Sequence, residues 1–501
     1  MPNVAQKPND VLEAKAVEAW GAVVDGRGKN VVFKHKQLIR LFDCLKNNGA
    51  ALLESLSVEK SSPLVAARLA DELKHVLKQV SALIDRIPAN IVKASAEYAL
   101  LSDAIREGGV RRVSAGTVII LGHEAHPFAS WAVPLATAIS DGNCAMVSLP
   151  PSLSTLYQAL RKPISLALDQ SAFHLVCLDP SVISSWLATT TVNGLAGVVT
   201  LGDLPVPSTT ISGTLATPLR RNFKYDAIPT GPCAFIVDQS LLPGGQPLHP
   251  LDDGVCSVPP LVDQAAQALA AAHSRHDPQA SGTRRSLGLP AFVLVHENVA
   301  ALFTRALKKH MSSTSLQPHA QAIKAIEDIL SASSTSNGLD YLPIFKVTSM
   351  DHALDLVQDR LPESFATYVF AESRFGAYFN NNCNVKLVCV NQVPVEVLTA
   401  GPYINADDFS NTVRRTVKFS KHPQIPHSDQ SVLNSISLAS SQASLAEQLA
   451  ELKIRQVKQV PGARIDFFGG SFLLAAGTFL SILLGASGYG IYKGGKALLS
   501  R

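Results

Sequence analysis

The chain has 501 residues, enough for two or three domains with a large buried core, and 47% of them are hydrophobic, which is typical of a globular protein. A formal net charge of +4, with no dense basic stripe, argues against nucleic acid as a partner. Seven scattered cysteines without a CxxC pair predict a reducing compartment, no disulfide framework and no metal site.

The N-terminal stretch lacks the apolar core of a signal peptide. The first half of the chain then changes from a helical pattern to alternating strands and helices. Leu38, Leu41 and Leu45 share one face of a helix predicted over 30–56, and another helix is predicted over 64–84. Short apolar runs then alternate with helical connectors, which predicts βαβ units and a parallel sheet. The predicted strands of this set are 117–121, 144–149, 173–178 and 196–201.

A second α/β set follows from residue 234, and it is interrupted by a segment rich in Pro and Gly over 242–260 that predicts an exposed insertion. The predicted strands are 234–238, 292–297, 341–347, 366–372 and 385–392. After residue 426 a Ser-rich linker leads into a short amphipathic helix with Leu445, Leu449 and Leu452 on one face. We expect this linker to space the globular body from a membrane.

The membrane is predicted from residues 467–492, in which no residue is charged. A bilayer core needs roughly 20 apolar residues of helix, and a buried core helix, the alternative reading, rarely runs so long without a charge. Arg464 and Asp466 bound one side of the run, and Lys493 bounds the other. The sequence therefore predicts a single-pass tail anchor that leaves the body facing the cytosol. The endoplasmic reticulum, the mitochondrial outer membrane and the peroxisome remain alternatives.

Several short fragments occur in order along the chain: GHEAHPF, a Gly-Asn pair before a strand, GPCAFIVDQSL, PAFVLVHE, LPIFKV with DHALDLV, and TYVFAE with VCVN. Their order and spacing resemble the aldehyde dehydrogenase superfamily, in particular its class-3 or fatty aldehyde dehydrogenase branch, whose membrane forms carry a C-terminal anchor. The resemblance covers about residues 30–391.

The resemblance implies an α/β fold with a Rossmann-type cofactor domain, a second α/β domain of the catalytic type and a C-terminal transmembrane helix. It also implies a homodimer. The domains follow as a cofactor-type domain (1–226, with part of a bridging segment near 95–115), a catalytic-type domain (227–390), a bridging or oligomerisation segment (391–426), the linker (427–466) and the anchor (467–492).

In this family a cysteine thiolate attacks the aldehyde, an asparagine side chain holds the oxyanion, and a glutamate activates water. By resemblance the nucleophile falls on Leu287, which cannot form a thiolate adduct, and the oxyanion asparagine falls on Ala125, which has no side-chain donor. The glutamate falls on Asp226, which is either a shortened base or a solvated loop carboxylate. Ser286 is either catalytic or a loop hydroxyl bonded to backbone, and Cys256 either reaches the site or is a surface-loop cysteine.

The positions that would hold NAD or NADP are also altered. The family lysine that binds the adenosine ribose lies in SLPPS here, where neither Ser148 nor Leu149 is basic. The turn that meets the pyrophosphate keeps Gly202 but has Asp203, whose charge would repel phosphate. The family glutamate at the nicotinamide ribose falls near Ser336, and the phenylalanine that follows it falls near Gly338. The resemblance implies NAD or NADP, but these residues predict weak or absent binding.

These changes affect every part of one mechanism while the apolar strands remain. The sequence therefore favours a tail-anchored pseudoenzyme that acts as a scaffold or binding protein at a membrane. The alternative is a divergent oxidoreductase that uses NAD(P) to oxidise long-chain or pathway-specific aldehydes to acids. A third reading is a sensor of a nucleotide or metabolite, which would bind its ligand without turnover.

Overall fold

The computed structural model describes residues 8–57, 63–95, 114–190, 192–202, 224–243, 258–274, 286–311, 315–319, 341–360, 364–404 and 416–425, together with 449, 450, 452, 454 and 478. Contacts divide the chain into two units, Met1–Ile454 and Arg455–Arg501. The predictions made for Asp203, Cys256, Ser336, Gly338, Leu445 and the segment near 95–115, apart from residues 95, 114 and 115, lie outside the described residues.

The N-terminal region of the first unit is helical, as the leucine spacing predicts. The helices are α1 (Pro8–Val24), α2 (Val31–Asn47), α3 (Gly49–Ser57) and α4 (Pro63–Ser95). The side chain of Asn30 begins α2 by accepting hydrogen bonds from the backbone N–H of Val32 at 2.9 Å and of Phe33 at 3.3 Å. The predicted helix over 30–56 is in fact two helices, because the chain leaves the α conformation at Asn48.

A five-stranded parallel sheet follows, with the strand order β3-β2-β1-β4-β5. Most of its residues are apolar and buried, which is typical of a parallel sheet covered on both faces. The strands are β1 (Thr117–Leu121), β2 (Cys144–Leu149), β3 (Phe173–Cys177), β4 (Leu195–Leu201) and β5 (Lys224–Ile228). The connecting helices are α5 (Ala129–Asp141), α6 (Ser154–Ala167) and α7 (Pro180–Thr189). The predicted domain boundary between 226 and 227 falls inside β5, which pairs with β4.

The second sheet has seven parallel strands in the order β12-β11-β10-β6-β7-β9-β8. The strands are β6 (Cys233–Val237), β7 (Pro290–His296), β8 (Ser315–His319), β9 (Tyr341–Val347), β10 (Ala366–Phe370), β11 (Leu387–Gln392) and β12 (Thr416–Gln424). Its helices are α8 (Pro260–Ser274), α9 (Glu297–His310), α10 (Met350–Arg360), α11 (Ser373–Asn382) and α12 (Val395–Ala400). Strand β12 lies in the segment 391–426, which is predicted to be a bridging or oligomerisation segment. In the structure it pairs with β11 at the edge of this sheet. The predicted α/β class is confirmed.

The end of the linker contacts the folded body. Leu449 is buried, and a Cβ added to Gly49 would lie 2.8 Å from its Cδ1. The ammonium of Lys46 donates to the carbonyl oxygen of Leu452 at 2.7 Å. These residues therefore belong to the body of the first unit, whereas the sequence predicts a spacer for the whole segment.

No helix among the described residues is long and apolar enough to cross a bilayer. The predicted membrane span over 467–492 lies outside the described residues, with the exception of Thr478. The span therefore stays a prediction.

Candidate functional site

Three of the residues singled out by the sequence, Ala125, Ser286 and Leu287, lie in two turns that are connected by one short helix. The first turn, residues 123–128, follows β1 and contains Ala125. The second turn, residues 286–289, precedes β7 and contains Leu287. Helix α12 contacts both turns, and the contacts described below define the candidate site.

The first turn is held by hydrogen bonds from its backbone N–H groups to nearby side chains. The backbone N–H of His123 donates to Oγ of Ser130 at 2.8 Å, and the N–H of Ala125 donates to Nδ1 of His123 at 3.1 Å. Burial lowers the pKa of His123. Ala125 is itself buried and its side chain is a methyl group, so the position predicted for the oxyanion donor provides neither an amide side chain nor a free N–H.

A buried carboxylate fixes the helix that leaves this turn. Oε1 of Glu72 on α4 accepts from the N–H of Phe128 at 2.8 Å and from the N–H of Ala129 at 2.7 Å, and so caps α5 from another helix. Glu72 is fully buried, and burial raises its pKa to about 7 against the opposing effects of Ala129, Arg68 and Phe128. Sequence reasoning missed this residue. The available signal was a glutamate between Leu69, Leu73 and Val76 on the buried face of α4.

The second turn is also held by hydrogen bonds, both within the turn and to its surroundings. Oγ of Ser286 donates to the carbonyl oxygen of Leu398, and the N–H of Gly288 donates to Oγ of Ser286 at 3.3 Å. The hydroxyl of Tyr368 donates to the carbonyl oxygen of Gly288 at 2.5 Å. Ser286 is therefore a buried hydroxyl bonded to backbone, and its proton is held by a carbonyl rather than by a base. Leu287 is half-buried and packs against the core.

One buried thiol lies beneath this turn, and a second lies near the first and near Tyr368. Sγ of Cys233 donates to the carbonyl oxygen of Leu287 at 3.1 Å, and Cys233 is fully buried. Cys389 is also fully buried, and burial raises the pKa of its thiol. Sequence reasoning did not single out either cysteine, because the proximity of Cys233 to Leu287 depends on the pairing of β6 with β7. Neither thiol is exposed to a substrate in this conformation.

Helix α12 joins the two turns and leaves no room between its backbone and theirs. A Cβ added to Gly288 would lie 2.1 Å from the carbonyl oxygen of Val397, and one added to Gly401 would lie 2.4 Å from Nε2 of His126. Nδ1 of His126 lies 3.0 Å from the carbonyl oxygen of Thr399, and because a carbonyl only accepts, Nδ1 carries the proton. Burial lowers the pKa of His126 well below its usual range.

Asp226 lies on a strand, so its prediction as a loop residue is wrong. It belongs to β5, where it pairs with Val199, because the isoleucine and alanine beside it continue an apolar strand. Its carboxylate is 41% exposed and lies 3.8 Å from Nζ of Lys386, a surface ion pair that contributes little stability. Burial raises the pKa of Tyr403, and the nearby carboxylates of Asp226 and Glu72 add to that effect. Asp226 thus lies near the buried polar groups of the site.

The described residues at the carboxyl edge of the first sheet do not fit a dinucleotide. Ser148 is buried, and its Oγ donates to the carbonyl oxygen of Leu178 at 3.3 Å instead of facing a ligand. A cavity beyond the ends of β1 and β2, lined by Arg68, Glu124 and Ser152 among others, has a volume of about 70 Å³, whereas small-molecule sites measure roughly 300–1,000 Å³. Gly202 ends β4 in the left-handed region with φ of 68°, as a glycine turn requires, but residues 203–223 lie outside the described part.

A metal centre is not formed by the described residues, in which no three His, Cys, Asp or Glu side chains are grouped closely enough to hold an ion. The histidines and carboxylates of the site act instead as hydrogen-bond partners of backbone groups, as His126 and Glu72 do.

No protein-family model and no curated protein sequence matches the chain. The fold is similar to that of AldH from Staphylococcus aureus in a substrate-bound state, with a TM-score of 0.54 and 14% identity over 76% of this chain and 85% of that one. It is similar to the aldehyde dehydrogenase KauB from Pseudomonas aeruginosa, with a TM-score of 0.56 and 11% identity over 78% of this chain and 83% of that one. It is also similar to an NAD-dependent benzaldehyde dehydrogenase from Corynebacterium glutamicum, with a TM-score of 0.55 and 12% identity over 81% of this chain and 87% of that one. The chain has the fold of these structures.

Proposed function

We propose that this chain, which has the aldehyde dehydrogenase fold, is a membrane-attached pseudoenzyme that acts as a scaffold or binding protein. The observation that carries the proposal is the packing of α12 against both turns of the candidate site. Its backbone contacts His126, which follows Ala125, and Ser286 and Gly288, which flank Leu287. We propose that it thereby closes the space in which a reacting carbonyl and its oxyanion would have to lie in the mechanism that the resemblance implies.

The chemistry of the residues supports this proposal. Leu287 has no nucleophilic atom, the hydroxyl of Ser286 donates to a carbonyl oxygen and not to a base, and the thiol of Cys233 is buried beneath the turn. A thiolate is the reactive form of cysteine, and an apolar, buried environment disfavours the charge that it carries. The groups that remain polar in this region stabilise backbone, which is a structural role.

Cofactor binding by this chain is proposed to be weak or absent. The benzaldehyde dehydrogenase with the same fold is NAD-dependent by its name, and NAD or NADP would be the cofactor here by analogy. By resemblance Ser148 and Leu149, at the end of β2, take the place of the family lysine; neither is basic, and the hydroxyl of Ser148 already has a partner. Purified full-length chain should therefore show no thermal stabilisation by either cofactor.

Membrane attachment is proposed from the uncharged run over 467–492 and its charged flanks. We propose a cytosol-facing body on the endoplasmic reticulum, the mitochondrial outer membrane or the peroxisome. A fluorescent protein fused to the N-terminus identifies the organelle, and extraction with alkaline carbonate tests insertion. Release of the chain from the membrane by carbonate would contradict the proposal. The Leu483→Asp substitution places a charge in the uncharged run and should increase the fraction of the chain that carbonate releases.

A homodimer is proposed as well. Strand β12 lies at the edge of the second sheet, with Val417 41% exposed and Phe419 51% exposed. An exposed edge strand with apolar side chains is a surface on which another strand can pair. Sedimentation of the detergent-solubilised chain, with and without the Phe419→Lys substitution, tests whether a second copy binds there.

The decisive experiment is an activity assay of the full chain with NAD or NADP and a panel of short- and long-chain aldehydes. The formation of reduced cofactor is the quantity measured. We expect no turnover with any pair. Turnover that is lost on changing Cys233 to Ser or Asp226 to Asn, and retained on changing the partly exposed Cys177 to Ser, would contradict the pseudoenzyme.

One observation favours a second candidate function. The thiol of Cys233 lies 3.1 Å from the carbonyl oxygen of Leu287, next to the position where the family has its nucleophile. A divergent dehydrogenase that oxidises long-chain aldehydes at the membrane would use this thiol after α12 moves away. The Cys233→Ser variant separates the two candidates, since it matters to activity only in the second.

A further inference from the structure

A groove lined by three cations lies between helix α9 and strand β9, and it shares no residue with the candidate site. Its volume is about 420 Å³, within the range of small-molecule sites. Its apolar lining consists of small or compact side chains, Ala300, Ala301 and Ile344. Its cations are Arg305, Lys308 and Lys346, all of them exposed.

The three cations converge because of the periods of the two elements that carry them. Arg305 and Lys308 are three residues apart, which places them on one face of α9. Lys346 follows Ile344 by two residues on β9 and so points to the same face of the sheet as that groove-lining side chain. Two elements that are far apart in sequence thus bring positive charge to one groove.

The charges of the groove are not neutralised by the described part of the chain, in which no carboxylate lies within ion-pair distance of the three cations. The neighbouring cations on α9 differ in this respect. Asp263 lies 3.8 Å from Nζ of Lys309 and 2.9 Å from Nε2 of His310. Like charges held close together repel, so an anion in the groove would stabilise the arrangement.

We propose that this groove binds a phosphate group. A guanidinium presents a planar fork that matches two phosphate oxygens, and two ammonium groups add point charges around the same anion. Thr304 also lines the groove; its hydroxyl donates to the carbonyl oxygen of Ala300 at 2.7 Å, so its oxygen remains an acceptor that would bind only a protonated phosphate. The phosphate belongs either to a soluble phosphorylated metabolite or to a lipid headgroup.

Lysine footprinting of the full-length chain in a neutral detergent tests the proposal. An amine-acylating reagent is applied alone, with inorganic phosphate, with glycerol phosphate, and in mixed micelles that contain phosphatidic acid or, as a control, phosphatidylcholine. We expect a phosphate compound to protect Lys308 and Lys346. Lys309, which is 70% exposed but lies outside the groove, should be labelled as before.

The two sources of phosphate are separated by the same experiment. Protection by glycerol phosphate indicates a soluble ligand, and protection by phosphatidic acid alone indicates a headgroup. Equal protection of Lys309, or no protection by any phosphate compound, overturns the proposal, and the second result is expected if another part of the chain fills the groove.

Variants provide an independent measurement. The Lys308→Gln substitution should weaken phosphate binding by about tenfold, measured by calorimetry, and Lys309→Gln, which removes the same single charge outside the groove, should change it less than about twofold. A similar loss in both variants would mean that only net charge matters and would overturn the proposal. These results do not depend on whether the chain oxidises aldehydes, so this proposal and the proposed function fail separately.

Discussion

Glu72 shows how one residue connects stability to the candidate site. Its carboxyl is fully buried, and its Oε1 caps α5 while Oε2 has no hydrogen-bond partner among the described residues. Burial raises the pKa from 4.5 to about 7, so the folded chain binds this proton more tightly than the unfolded chain does. The stability that depends on the neutral carboxyl is fully present below about pH 4.5, and it is lost as the pH rises through about 7.

We therefore expect the Glu72→Gln substitution to remove a pH dependence of stability. An amide keeps the acceptor for Phe128 and Ala129 but does not ionise. Above about pH 7 the charged carboxylate lowers the free energy of unfolding of the wild type by at most about 3 kcal/mol. The free energy of unfolding of the variant relative to the wild type should therefore rise between about pH 5 and about pH 8. Urea unfolding of the solubilised chain at both pH values measures this difference.

Glu54→Gln is the matched control for Glu72, because it makes the same chemical change at an exposed position on the neighbouring helix. Its unfolding should follow that of the wild type at both pH values. An equal gain in both variants would mean that net charge, and not the burial of Glu72, sets the pH dependence.

Gly401 is the second residue on which the site depends. Its φ of 56° and ψ of −130° belong to a region that side chains rarely adopt, and an added Cβ would lie 2.4 Å from Nε2 of His126. Gly401→Ala should lower the free energy of unfolding by about 1–3 kcal/mol or more. Gly21→Ala, in α1 with nothing within 4 Å of the added Cβ, should instead raise it by up to about 1 kcal/mol. Similar stabilities of the two variants would contradict the close packing of Gly401.

At the scale of elements, α12 differs from an ordinary surface helix. It has only six residues, too few for a helix to be stable alone, so its position depends on tertiary contacts. Val397, Leu398 and Ala400 are buried, and the carbonyl oxygens of Leu398 and Thr399 are bound by side chains of the two turns. The helix is therefore held in the site by hydrogen bonds that a single substitution can remove.

Ser286→Ala tests this attachment. The substitution leaves the buried carbonyl of Leu398 without its partner, which should cost about 1–3 kcal/mol. Hydrogen exchange should become faster in the peptide that contains α12, while the rate in β7 stays the same. Ser165→Ala is the control, because it removes an exposed hydroxyl that donates to the carbonyl oxygen of Lys162 at 2.9 Å. Unchanged exchange in α12 would show that Ser286 does not hold the helix.

At the scale of the whole molecule, local patterns predicted the elements, whereas the site depended on contacts between distant parts of the chain. The strand in PAFVLVHE and the parallel sheets follow from apolar runs between helical segments, and the structure confirms them. Cys233 next to Leu287 requires the pairing of two strands, and Glu72 next to Phe128 requires the packing of α4 on α5. No periodicity in the sequence carries such information. The roles carried over to Leu287 and Ala125 by resemblance stay predictions.

The same dependence on the whole structure decides what restoring one residue can do. Leu287→Cys would return a sulfur to the predicted nucleophile position, but Ala125, the hydrogen-bonded Ser148 and the packed α12 would remain. We expect this variant to form no reduced cofactor with NAD or NADP and any aldehyde, because a nucleophile without substrate space and an oxyanion donor contributes little. Labelling of the new thiol by a maleimide, compared with that of the partly exposed Cys177, reports whether α12 covers it. Slow labelling together with no turnover supports a closed site, whereas turnover in Leu287→Cys would mean that α12 opens and that a single substitution silenced the chemistry.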